Sequence, residues 1–181
     1  SVLLVEFYAD DDAAGKRKVA DLVADRVGPV TDGGPETAAD QSPGAATATA
    51  HPRRAADALE AHDPDERDRF WKMRKAGLPI LLSRTTDEKH ISFIEDCAIP
   101  PEHLPEYTRE FQAILADNDT FATFYAHAGP GVLHVRPLIN TKDVDDVDAM
   151  CDIADRVTDV VARLGGSVSG EHGDGRARTQ W

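Results

Sequence analysis

A chain of 181 residues, 41% of them hydrophobic, is long enough to bury one sizeable core or two small ones, and a single domain over 1–181 is the expectation. The net charge of -13, carried mostly by Asp and spread along the whole chain, repels nucleic acid and anionic membranes. No run approaches the ~20 apolar residues of a membrane-crossing helix, and the first residues lack the basic start of a signal peptide, so a soluble chain without a transmembrane segment is expected.

A carboxylate surface of this kind also suits high salt, where hydrated acids keep a protein soluble and salt screens their repulsion; an ordinary acidic cytosolic protein is the plainer alternative. Cys97 and Cys151 are the two cysteines, which makes no disulfide framework and no paired-cysteine metal site and fits a reducing, cytoplasmic compartment. Ser1 opens inside an apolar run and Trp181 closes in a polar one, so both ends read as cuts in a longer polypeptide.

In chain order, Val2 to Tyr8 is apolar with β-branched and aromatic members and predicts a buried strand. Asp10-Asp-Asp12 caps a predicted helix from about Ala13 to Val27, closed by Gly28-Pro29. The stretch from about 31 to 63 is rich in Gly, Pro, Ala and Thr and reads as a flexible insertion. Asp63-Pro64 opens a charged helix carrying Phe70, Trp71, Met73 and Arg74, with Gly77 as its predicted stop. Ile91 to Ile99 alternates as a strand does, and Pro100-Pro101 ends it. Leu104, Tyr107, Phe111, Ile114 and Leu115 share one helical face. Phe121 to His127 and Val132 to Ile139 predict two strands joined by Gly129-Pro-Gly131, and a long helix from Val144 to Leu164 ends at Gly165-Gly166. Strands interleaved with helices predict an α+β fold, most simply a ferredoxin-like antiparallel or mixed sheet with helices packed on it.

Three groups of residues carry chemistry. His127 and His134 flank the glycine turn, with Glu171 available as a third donor; imidazole with carboxylate suits zinc, manganese or iron and leaves positions open for water or substrate. Taken alone, the two histidines fit hydrogen-bonded structural roles better than a metal site. Ser169 to Arg176 sets His172 between an acid and glycines that permit unusual backbone, placing it to remove a proton near neutral pH. Gly129, Gly131 and Gly173 let a cofactor approach the backbone. Arg74, Lys75, Arg84, Lys89 and Arg136 are the cations that suit a substrate carboxylate, though each alone fits a surface ion pair.

Trp71-Lys-Met-Arg-Lys-Ala-Gly77, Phe93 to Pro105, His127 to Pro137 and Gly165 to Gly175, in that order, resemble one family over nearly the whole chain outside the insertion. It is the C-terminal domain of FAD-linked oxidases of the vanillyl-alcohol oxidase superfamily, the group of glycolate oxidase, D-lactate dehydrogenase and D-2-hydroxyglutarate dehydrogenase. The resemblance implies a flavoenzyme that oxidises a small D-2-hydroxy acid, in which an N-terminal domain binds FAD and this domain supplies the substrate site, so that these residues alone are inactive. It also implies a divalent metal on His127, His134 and Glu171, with His172 as the base and Arg74 and Lys89 on the substrate carboxylate; Arg136 is a further candidate. Pro130 and Val132 stand where many members have Asp and Asn, so the polar contacts of that turn are not carried over. The Gly131-Val-Leu-His-Val-Arg-Pro137 form is similar to long members that continue into an iron–sulfur region. On residues alone, a metal-dependent hydrolase and a non-catalytic α+β binding module stay open as well.

Overall fold

The computed structural model describes residues 2–27 and 55–181. The chain divides into two compact units, Ser1–Lys75 and Ala76–Trp181.

In the first unit, helix α1 (Asp12–Arg26) begins where predicted, with the Asp11 side chain accepting the N–H of Ala14 as its N-cap. Val2 to Tyr8 forms no strand among the described residues, which corrects the expectation from its composition. An apolar run becomes a strand only where another edge pairs with it. The pairing seen in this unit is one isolated parallel bridge between Val27 and Ala55. Most of the predicted insertion lies outside the described residues. Helix α2 (Pro64–Leu82) has Pro at its first position as expected but runs past Gly77 and through Pro79. One glycine costs a helix only about 1 kcal/mol, too little to end it here. The division between the units falls within α2.

The second unit is built around one central strand. Strand β4 (Val132–Ile139) pairs antiparallel with β3 (Ala122–His127) on one edge and with β1 (Lys89–His90) and β2 (Cys97–Ala98) on the other. The hairpin β3–β4 falls where the alternation predicts it. Leu133, Val135 and Ile139 of β4 join Phe111, Ile114 and Leu115 of α3 (Leu104–Asp117) and Ile153, Val157 and Val161 of α4 (Val144–Arg163) in one buried cluster. The helical spacing of those residues dictates which helix faces the sheet covers. Gly165, with φ of 70°, turns the chain out of α4 as its glycine pair predicted.

The fold is α+β. A strand, a helix, a hairpin and a second helix follow one another, but the closing strand of a ferredoxin-like sheet is reduced to a single bridge, Ala98 with Ser167.

The predicted strand Ile91–Ile99 is the instructive departure. His90 pairs with Leu138 and Cys97 with Leu133, so the chain between β1 and β2 holds two more residues than the stretch of β4 it faces. The excess bulges out of the ladder, and Asp96 takes a left-handed φ of 75° within it. That bulge carries Glu95 and Asp96 to the site.

Candidate functional site

Alternation along a strand puts neighbouring side chains on opposite faces. Leu133 and Val135 point into the core, so His134 and Arg136 occupy the other face of β4. The register adds Tyr125 opposite His134, and His127 opposite Val132, to that same face. The sheet thereby separates its hydrophobic side from a polar side that no helix of this unit's core covers.

The loop after α4 folds onto that polar side. Asp96, fully buried, draws it there: its carboxylate accepts the main-chain N–H groups of Gly170 (3.1 Å), Glu171 (3.1 Å) and His172 (2.9 Å), and the Ser169 hydroxyl at 3.3 Å. Burial alone would raise the Asp96 pKa, but these donors and the His172 ring hold it below the ordinary carboxylate value. Arg178, on the short helix α5 (Gly175–Arg178), closes the loop from the far end. It is buried and donates to the carbonyls of Glu95, Gly173 and Val168. A buried guanidinium needs such a set of acceptors, and each one it takes is a tie across the loop.

With the loop seated, three imidazoles surround one carboxylate oxygen. Glu171 Oε1 lies 3.1 Å from His134 Nε2, 3.4 Å from His127 Nε2 and 3.5 Å from His172 Nε2. The His134 and His172 rings stack at 5.0 Å, and His127 meets His134 edge-on at 5.2 Å. Burial lowers the His134 pKa, which favours the neutral imidazole that a metal needs.

These donors fit a divalent ion. Ligand atoms about 2.0–2.2 Å from a tetrahedral zinc stand roughly 3.3 Å apart, close to the spacings of Glu171 Oε1 from His127 Nε2 and from His134 Nε2. A ring nitrogen that faces a metal leaves its partner nitrogen needing an acceptor, and His134 Nδ1 is buried without one, with Glu95 Oε2 3.7 Å away. The donor atoms that lie within 4.8 Å of one another are those of Asp96, His134, Glu171 and His172, a set that does not include His127, and the Asp96 carboxylate in it is occupied by main-chain donors.

Of the predicted substrate cations, Arg136 stands on the site face, with Nη2 3.4 Å from Glu95 Oε2. Lys89 pairs with Ile139, whose side chain is in the core, and its Nζ donates to the Arg84 carbonyl. It therefore belongs to the face opposite His134. His90, not Lys89, is the β1 residue on the site face; it is buried, its Nδ1 3.0 Å from the Arg136 carbonyl. Arg74 lies on α2 within the first unit, and burial lowers its pKa.

Of the glycines expected to meet a cofactor, one is also required by the fold. Gly131 has a φ of 78°, and a Cβ there would collide with the Ile99 carbonyl oxygen, so its bareness serves packing within the domain. Gly129 and Gly173 face open space.

Glu95, Asp96 and Arg178 carried no role in the sequence reading. The available signal was two adjacent acids inside the apolar run Phe93 to Ile99, where a carboxylate must find a purpose-built partner.

Known proteins add what geometry cannot. The family model for the C-terminal domain of FAD linked oxidases matches residues 1–181. A D-2-hydroxyglutarate dehydrogenase of Pantoea ananatis is 40% identical over 113 residues, 62% of this chain and 11% of that protein. Its counterpart in Escherichia coli is 38% identical over 108 residues, 60% of this chain and 11% of that protein. Glycolate oxidase subunit GlcD of Escherichia coli is 28% identical over 124 residues, 68% of this chain and 24% of that protein. The matched stretch is thus about a tenth of the length of the dehydrogenases and a quarter of the oxidase subunit. The motifs, the loop they build around Glu171 and the match along the whole chain agree: this chain belongs to the family of FAD linked oxidases, in their C-terminal domain.

Proposed function

We propose that this chain is the substrate- and metal-binding part of a flavin-dependent dehydrogenase that oxidises a D-2-hydroxy acid, of the 2-hydroxyglutarate, lactate or glycolate type, to the 2-oxo acid. The observation that carries the reading is the convergence of three histidine Nε2 atoms on Glu171 Oε1. The names of the relatives supply the substrate class.

His127, His134 and Glu171 would hold a divalent ion, whether zinc, manganese or iron, whose charge would favour deprotonation of a neighbouring hydroxyl. FAD, held by an N-terminal domain of the same polypeptide, supplies the redox chemistry. The chain's own residues then bind, orient and move one proton. Arg136 offers its guanidinium to a substrate carboxylate. His172 Nε2 accepts the proton of the substrate hydroxyl. A cytoplasmic setting and an iron–sulfur region as electron outlet complete the proposal. The family membership leaves a metal-dependent hydrolase or a non-catalytic module without separate support.

The test is anaerobic mixing of the flavoprotein carrying this chain with D-2-hydroxyglutarate, D-lactate and glycolate, following flavin bleaching, beside metal analysis. Bleaching by one acid is expected, together with about one divalent ion that Glu171→Ala removes. A metal-free protein that bleaches at full rate, or one that no 2-hydroxy acid reduces, overturns the reading.

A further inference from the structure

The bulge that departs from the predicted strand places one buried carboxylate against three of the site's residues. Glu95 Oε1 lies 2.9 Å from His172 Nδ1, while Oε2 lies 3.4 Å from Arg136 Nη2 and 3.7 Å from His134 Nδ1. The Glu95 side chain is 8% exposed, whereas those of His172 and Glu171 are 44% and 46% exposed. It is therefore the fixed member of the group, and the exposed ring adjusts to it.

We infer that Glu95 is a positioning residue for His172: it fixes the tautomer that leaves Nε2 free to take a proton. The inference rests on the proposed role of His172 as the base. An ionised carboxylate only accepts hydrogen bonds, so at 2.9 Å the nitrogen facing it must carry the hydrogen. Nδ1 of His172 is then the donor, and Nε2, on the side of Glu171 and the two ligand histidines, keeps its lone pair. Without Glu95 the ring could turn over or hold its proton on the wrong nitrogen.

Two further features hold Glu95 for this purpose. Arg136 sets a positive charge beside Oε2 and offsets the cost of burying the acid. Arg178 donates to the Glu95 main-chain carbonyl and to that of Gly173, tying the residue before the bulge's turn and the residue after His172 to one guanidinium. Acid and imidazole thus hang from a common support, although 77 positions apart in sequence.

The experiment compares Glu95→Gln, His172→Ala and the double variant in the flavoprotein carrying this chain, with D-2-hydroxyglutarate as substrate. Metal content, KM and kcat are measured for each. Glu95→Gln keeps the shape but presents an amide that can donate to Nδ1 and so favours the wrong tautomer. A fall in kcat of about 10- to 100-fold is expected, with KM within about twofold and metal content unaltered. His172→Ala is expected to lower kcat by about 100- to 10,000-fold, and adding Glu95→Gln to it should slow the enzyme no further. A Glu95→Gln variant that keeps wild-type kcat, loses its metal, or slows His172→Ala further overturns the inference. If His172→Ala itself keeps wild-type kcat, the assignment of the base falls, and with it this inference; if only Glu95→Gln does, the inference alone falls. Neutron diffraction from the unsubstituted protein decides the point without any variant: a deuteron on His172 Nδ1 supports it, and one on Nε2 alone overturns it.

Discussion

The buried carboxylate of Asp96 holds the main-chain N–H of His172 at 2.9 Å, across a sequence separation of 76 residues. A side chain here does what a neighbouring strand would otherwise do. It satisfies successive amides of a loop, so the loop takes one shape and its side chains point one way.

Replacing that acid by its amide gives the first prediction. Asp96→Asn sets an N–H₂ group among donors and should cost the loop about 3 kcal/mol. Hydrogen exchange of the amides of Gly170, Glu171 and His172 should then quicken by about two orders of magnitude. The pH dependence follows from the lowered Asp96 pKa. The stabilisation is complete above the unfolded-chain value of about 3.9 and is lost as pH falls through the lower folded value. Wild type and variant should therefore differ by a constant margin from pH 5 to 7 and converge only in stronger acid. A margin that closes near neutrality would contradict this.

Arg178→Met tests the other anchor. Methionine matches much of the arginine's bulk but leaves the carbonyls of Glu95, Gly173 and Val168 without their donor. Metal content should fall by about tenfold or more through misplacement of Glu171, although Arg178 touches none of the three ligands; elemental analysis of the purified variant reads it.

Gly131→Ala combines a left-handed φ of 78° with a collision against the Ile99 carbonyl. The backbone penalty alone is about 1–2 kcal/mol and the collision adds to it. A Tm lower by roughly 6–12 °C is expected, read by differential scanning calorimetry. Gly129→Ala, in open space, should leave Tm within about 2 °C.

The charge makes the fourth prediction. With a net charge of -13, raising potassium chloride from 0.1 to 2 M shortens the screening length from about 10 Å to under about 3 Å. Surface pairs such as Arg156 with Asp117 and Arg163 with Glu106 contribute little and lose little by screening. Relief of self-repulsion should dominate, and Tm should rise with salt. A flat or falling Tm removes the case for adaptation to high salt.

Local pattern was enough to determine α3, α4 and the β3–β4 hairpin, because each repeats an apolar period that packing on the core requires, and α1, which buries no residue, through its acidic N-cap. It was also enough to single out His127, His134, Glu171 and His172, since imidazoles and an acid set among glycines are conspicuous in any chain. Tertiary structure decided the rest. Whether Val2 to Tyr8 pairs depends on a partner edge, and whether Gly77 stops α2 depends on more than the residue itself. The stretch from Ile91 to Ile99 alternates like a strand, yet the register of β4 against His90 and Cys97 leaves two residues over between them, and no local reading could count them. Glu95 and Asp96 look like two polar residues in an apolar run until the loop from Ser169 to His172 arrives beside them. Their function is a relation between segments distant in sequence, and only the folded chain makes that distance short.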